Sequence, residues 1–176
     1  MNVSIINTLG DGFRIVDGNE EVADFRYLHS SRIYGGTDLN GTKIDTVLQS
    51  APWWDFGLSA NKVNILKDEV VAGQIKFFNF RKRANIKLAN ANGGAKIFKL
   101  RTKGWFRPIN PKYVLKDEQG NTLFEFIQRL KLLKLRNEYE FNIKNTQVPK
   151  ELIIELLIYG IYTAEYVLKR NPAVGQ

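Results

Sequence analysis

The stretch Pro149 to Arg170, PKELIIELLIYGIYTAEYVLKR, decides the fold. Leu152, Ile153, Ile154, Leu156, Leu157, Ile158, Ile161, Tyr162, Tyr166, Val167 and Leu168 leave no polar stripe wide enough to face water. A helix that is hydrophobic on every side is buried, either in protein or in a bilayer. The apolar part, Leu152 to Leu168, is about seventeen residues long, the lower limit for crossing a bilayer. It is interrupted by Glu155, Gly160, Thr163 and Glu165, and each carboxylate at bilayer depth costs a few kcal/mol. Pro149 and Glu151 at one end, and Lys169-Arg170 before Asn171-Pro172 at the other, are the start and stop signals of a helix in a soluble protein. The segment 149–170 is expected to be a buried core helix and not a transmembrane one. Glu155 and Glu165 then lie near the ends of the buried length or meet a basic partner.

Upstream of this helix the chain reads as strands. From Lys62 onward the candidates are 63–66, 73–80, 85–88, 95–103, 113–116, 122–129 and 137–143. Phe98 and Leu100 alternate with Lys99, Arg101 and Lys103; Phe124 and Phe126 flank Glu125; Tyr139, Phe141 and Ile143 alternate with Glu138, Glu140 and Asn142. Period-two alternation of this kind marks antiparallel strands with one face on a core. IKLANANGGAKIFKL (86–100) and VLKDEQGNTLFEF (114–126) share a strand, a polar residue, a glycine turn and a strand with an aliphatic-Phe pair, and VNILKDEVVAGQIKFF (63–78) is a looser third copy. Repeated hairpins make a meandering sheet whose edges must close or be covered, and the C-terminal helix is the natural plug. In the first 60 residues, 13–16 and 22–28 read as strands around the turn Asp17-Gly18-Asn19. From His29 to Ala60 the pattern loosens; Gly35-Gly36, Asn40-Gly41 and Pro52 read as turns, and the segment is expected to be largely loop. Trp53 and Trp54 are adjacent, so on a strand they face opposite ways; core packing at the barrel mouth and contact with a ligand or membrane are both open to them.

The 176 residues, 44% hydrophobic and 25% charged, suit one globular domain spanning 1–176. No cysteine is present, which removes disulfides, thiolate metal sites and cysteine nucleophiles. MNVSIINTLG has no basic n-region followed by an apolar run, no anchor is expected after the helix, and the expected location is the cytoplasm. The net charge of +8 is uneven: residues 1–60 carry 4 Lys/Arg against 8 Asp/Glu, residues 61–144 carry 19 against 7, and residues 145–176 carry 3 of each. A basic middle suits a polyanionic partner, and it equally suits a solvated surface that keeps the protein soluble.

Catalytic signatures are sparse. His29 is the only histidine, so no multi-histidine metal site can form. A Ser/His/Asp triad would have to pair it with Ser30, Ser31, Ser50 or Ser59, without a G-x-S-x-G elbow. Asp68-Glu69 and Asp117-Glu118 fall in expected hairpin turns, where acids cap and solvate. No Walker A or dinucleotide glycine motif occurs, so a non-enzyme without cofactor or metal is expected. Cations remain. Arg81, Lys82 and Arg83 follow an aromatic strand, Lys99, Arg101 and Lys103 share a strand face, and Arg107 follows Trp105-Phe106. Side by side, these seven would make a patch that grips phosphates, arginine forking and lysine acting as a point charge. In RLKLLKLR (129–136), Lys131, Lys134 and Arg136 read as a further basic loop whose leucines either dip into a head-group layer or tuck against the core.

The hairpin KDEQGNTLFEF (116–126) and the terminal ELIIELLIYGIYTAEY together resemble the tubby C-terminal-like superfamily, which includes the LURP-one-related proteins and phospholipid scramblases. The likeness covers residues 60–170 and extends to 1–60 by analogy. It implies a mainly β fold: a closed antiparallel β-barrel of about twelve strands around a buried hydrophobic C-terminal helix. The resemblance to tubby proteins implies binding of anionic phospholipid, phosphoinositide above all, by basic residues on the barrel exterior, with the protein peripheral to the membrane. The scramblase palmitoylated cysteine segment is missing, and the glycine of Asp38-Leu39-Asn40-Gly41 comes too early for an EF-hand. Nucleic acid bound by the same patch is the alternative partner, and a structural or protein-interaction domain is the third reading.

Overall fold

The structure, a computed structural model, describes residues 3–8, 12–28, 33–37, 41–49, 61–78, 83–89, 93–103, 111–131 and 136–164. The described residues form twelve strands followed by one helix: β1 (Val3–Thr8), β2 (Gly12–Asp17), β3 (Glu20–Leu28), β4 (Ile33–Thr37), β5 (Lys43–Gln49), β6 (Asn61–Lys67), β7 (Val70–Phe78), β8 (Arg83–Ala89), β9 (Ala95–Lys103), β10 (Lys112–Lys116), β11 (Thr122–Lys131), β12 (Arg136–Ile143) and α1 (Lys150–Tyr162). Each strand pairs antiparallel with the next in sequence, and β1 pairs with β2 on one side and with β12 on the other, through Ile5–Tyr139 and Ile6–Glu138.

The alternation seen in the sequence sets the faces. Phe13 and Ile15 in β2, Val63 and Ile65 in β6, Ile75 and Phe77 in β7, Ile86 in β8, Phe98 and Leu100 in β9, and Phe124 and Phe126 in β11 are all buried. They form one cluster with α1. In that helix Ile153, Ile154 and every residue from Leu156 to Tyr162 are buried, as expected of a segment apolar on all sides. Phe25 meets the Tyr162 ring edge-on at 6.1 Å, and Phe126 is stacked on Tyr113 at 4.8 Å. The α-helix extends to Tyr162 and runs into a π turn at 163–164; the remainder of the expected 149–170 helix, including Glu165, Lys169 and Arg170, lies outside the described residues. Among the described residues no helix is long and apolar enough to cross a membrane.

Glu155 has the basic partner the sequence called for. Its Oε1 lies 2.7 Å from Lys67 Nζ, at the end of β6, and accepts the Tyr159 hydroxyl at 3.0 Å. The helix starts behind Pro149 with no side-chain cap.

Residues 29–60 depart from the loop expectation, because 33–37 and 43–49 are strands. Gly35-Gly36 is not a turn; it lies within β4, with Gly36 opposite Phe25 and Ile44. A Cβ at Gly36 would collide with the Asp24 carbonyl oxygen, so the glycine marks close backbone approach inside the sheet. β5 hid its period because its core-facing positions include Thr46, which is fully buried and hydrogen-bonds Tyr162. β1 was not foreseen either. A second correction concerns Lys131 and Arg136: they are not loop residues but a register pair of β11 and β12, while Lys134 lies outside the described residues.

Candidate anion-binding face

Strands β6 to β10 contain eleven Lys/Arg and no Asp or Glu. Most of their large apolar side chains are turned inward, with Val70 and Val71 exposed at the start of β7, so most of the cations share the outer face. Register then sets like charges directly opposite one another: Lys62 against Lys76, Arg83 against Arg101, Lys99 against Lys116, and Lys103 against Lys112. With strands spaced by about 4.8 Å, the row Lys62–Lys76–Asn85–Lys99–Lys116 crosses five strands. Like charges in directly opposed positions destabilise a sheet.

Few carboxylates relieve this. Lys112 pairs with Glu125 of β11 at 2.7 Å. The hydrogen bond from Lys112 holds the Glu125 carboxyl below its ordinary range, with Lys144 and Lys103 adding to the effect. Lys99 Nζ donates to the backbone oxygen of Glu118 at 3.3 Å. Among the described residues, Lys62, Lys76, Lys87, Arg101, Lys103 and Lys116 have no ion pair.

One aromatic organises the centre of the face. Phe78, half-buried on the outer side of β7, has the Arg83 guanidinium 4.6 Å from its ring centroid and Lys76 Nζ at 5.6 Å. The quadrupole of the ring attracts both cations and so holds two like charges in one place. Arg83 Nε is buried without a hydrogen-bond partner. A phosphate or carboxylate oxygen is the acceptor to which a guanidinium fork donates best.

Of the seven cations singled out in the sequence, Arg83, Lys99, Arg101 and Lys103 come together here: Arg83 is the register partner of Arg101, and Lys99 and Lys103 flank Arg101 on the same side of β9. Arg81, Lys82 and Arg107 lie outside the described residues, as do His29, Ser30, Ser31, Ser50, Ser59, Trp53, Trp54, Trp105 and Phe106, so neither the triad nor the exposed-tryptophan reading meets a described site. Asp38 and Asn40 lie outside as well. The sequence reading passed over Lys62, Lys76, Lys112 and Lys116. Lys76 between Ile75 and Phe77 carries the local signal for an outward cation; that it faces Lys62 is a matter of register, which no local pattern contains. Among the described residues no group of three or more His, Cys, Asp or Glu is placed to hold a metal ion. Comparison of the chain with protein-family models, with curated proteins and with solved structures gave no match.

Proposed function

We propose that this chain is a non-catalytic binding protein that takes anionic phospholipid head groups, of the phosphoinositide kind, on the outer face of β6–β10, and that its sheet is a closed, tubby-like β-barrel around α1. The observation that carries the binding reading is the run of four like-charged register pairs on an outer face whose strands hold no carboxylate. A surface that needed only solubility would intersperse the two signs. Support for the barrel comes from the two-sided pairing of β1 and from a helix that is buried nearly all round. The protein then works as a peripheral partner of a cytoplasmic membrane surface, where each Lys or Arg near the bilayer contributes about 1 kcal/mol of attraction.

Lipid is favoured over nucleic acid because base stacking needs a free aromatic surface. Phe78, the aromatic on the described part of this face, is already occupied by Arg83 and Lys76.

Co-sedimentation with neutral, phosphatidylserine and phosphoinositide vesicles at low and physiological salt tests the reading, with Lys76→Glu/Arg101→Glu beside the wild type. Binding to the anionic vesicles, weakened at least thirtyfold in the double variant (roughly 2 kcal/mol or more), is the expected outcome. Absence of binding at physiological salt rejects it. Retention of an oligonucleotide with a steep salt slope would transfer the face to nucleic acid.

A further inference from the structure

The cations of the outer face end, on the β11 side, at a carboxylate held as a bound anion would be. The register row Phe78–Arg83–Arg101–Val114 crosses β7 to β10 and arrives at Glu125. With strands spaced by about 4.8 Å, the Glu125 backbone lies roughly 10 Å from that of Arg101.

Lysines stand on both flanks of Glu125. Lys112 lies two residues along β10 from Val114, the partner of Glu125, and its Nζ reaches Glu125 Oε2 at 2.7 Å. Lys103 is the register partner of Lys112 in β9. On the other flank, Asn142 of β12 is opposite Glu125, and Lys144 follows two residues later on the same side. Lys144 Nζ donates to the Asn142 side-chain oxygen at 3.2 Å when that amide is turned to satisfy both of its ends.

Three ammonium groups therefore act on one carboxylate, and together they hold its proton affinity down, the Lys112 hydrogen bond most of all. The Glu125 side chain keeps only 16% of its surface, so the carboxylate is enclosed and not dangling in water. Glu140, the acid of the neighbouring register position in β12, is engaged by Arg129 at 2.6 Å. Lys103, Lys112 and Lys144 against Glu125 thus leave a local excess of positive charge. Like a phosphate oxygen, an ionised carboxylate only accepts hydrogen bonds.

We infer that Glu125 is an internal competitor for the anionic ligand: it occupies a subsite formed by Lys103, Lys112 and Lys144, which a ligand phosphate enters by displacing the carboxylate from Lys112. The inference rests on the reading of β6–β10 as an anion-binding face, and it names how that face is restrained. A phosphomonoester carries nearly two negative charges near neutral pH against one on glutamate, so the exchange favours the phosphate.

Co-sedimentation with phosphatidylserine and phosphoinositide vesicles, and calorimetry with inorganic pyrophosphate, compare the wild type with Glu125→Gln and Glu21→Gln. Circular dichroism checks each fold. Glu21→Gln makes the same change in net charge and breaks an ion pair with Arg14 on β2 and β3, far from β10 in strand order. Glu125→Gln is expected to bind the vesicles about fivefold more tightly, the effect of one freed lysine at an anionic bilayer, and to bind pyrophosphate more tightly as well. Glu21→Gln should match the wild type in both. If the wild type binds vesicles and Glu125→Gln gains nothing, or no more than Glu21→Gln, the inference is overturned and the lipid reading stands. If no protein binds vesicles, the lipid reading fails and pyrophosphate decides: a gain confined to Glu125→Gln upholds the competitor, and no gain overturns it.

Discussion

A methyl group added at Gly160 and one added at Gly36 meet opposite fates. At Gly160, inside α1, it would lie 3.5 Å from the Phe126 ring, an ordinary contact. Glycine in a helix interior costs up to about 1 kcal/mol relative to alanine, so Gly160→Ala is expected to stabilise the protein by roughly 0.5–1 kcal/mol and to raise the thermal midpoint. At Gly36 the same group falls on the Asp24 carbonyl oxygen and lies 2.8 Å from the Phe25 ring. Gly36→Ala is therefore expected to cost more than about 2 kcal/mol or to prevent folding; urea denaturation of the two variants reads both signs. Tyr162 yields a pH dependence. Burial pushes its phenol up to about 12, partly offset by the hydrogen bond with Thr46. The folded state keeps this proton at pH values where the unfolded chain, with a phenol near 10, has released it. Stability from this group is whole below pH 10 and is lost as the pH rises towards 12, by on the order of 2–3 kcal/mol. In Tyr162→Phe, urea midpoints between those pH values should fall less steeply than in the wild type.

At the scale of elements, the β6–β7 hairpin holds the positive-φ non-glycine residues found among the described residues. Asp68 and Glu69 both have positive φ, 46° and 69°, in a two-residue turn of the kind that usually holds Asn-Gly. Asp68 is tied across to β5: its N–H donates to the Lys43 carbonyl at 2.9 Å, and its carboxylate accepts the Lys43 N–H at 3.0 Å. Among the described residues, Glu69 meets Lys43 Nζ, at 4.0 Å. Glu69→Gly removes a left-handed penalty and is expected to stabilise by up to about 1 kcal/mol, whereas Asp68→Ala should cost about 1–2 kcal/mol; chemical denaturation separates the two. The tetrapeptide Leu-Lys-Asp-Glu recurs at 66–69 and 115–118 but builds a different turn each time. In the second copy Asp117 caps Asn121, and Gly120 takes the positive φ. Hairpins at both sites were legible in the sequence, as were the buried helix and the two faces of β9. The turn types were not, because the first is held by a strand distant in sequence. β4 and β5 were illegible for a related reason: Gly36 answers to a neighbouring backbone, and Thr46 to a tyrosine on the helix. Of the candidate site, β9 supplied what local alternation can supply, while Lys62, Lys76 and Lys116 joined it through register alone.

At the scale of the molecule the charges separate. Strands β6–β10 carry only cations, while β2 and β3 hold Asp17, Glu20, Glu21 and Asp24, and Arg14 and Arg26 are neutralised there by Glu21 at 3.2 Å and Asp24 at 2.6 Å. Such a distribution turns one side of the molecule towards an anionic surface before contact is made. It also implies that the basic face is kept at the expense of stability. Lys76→Glu, placed opposite Lys62, should raise the thermal midpoint while weakening binding to anionic vesicles, and the difference between vesicle affinities at low and high salt should shrink with it. If instead the midpoint falls, the like-charged pairs are not a source of strain. The pairing of β1 with β12 bears on how the chain comes to be folded at all. Every other strand partner is the next in sequence, but Ile5 must wait for Tyr139, so a chain leaving the ribosome holds β1 with one edge unpaired until β12 has been made. α1, which is buried in the core cluster, comes later still. Nascent chains therefore pass through an interval in which the apolar face of the sheet has no helix against it, and exposed apolar surface of that kind is prone to aggregation.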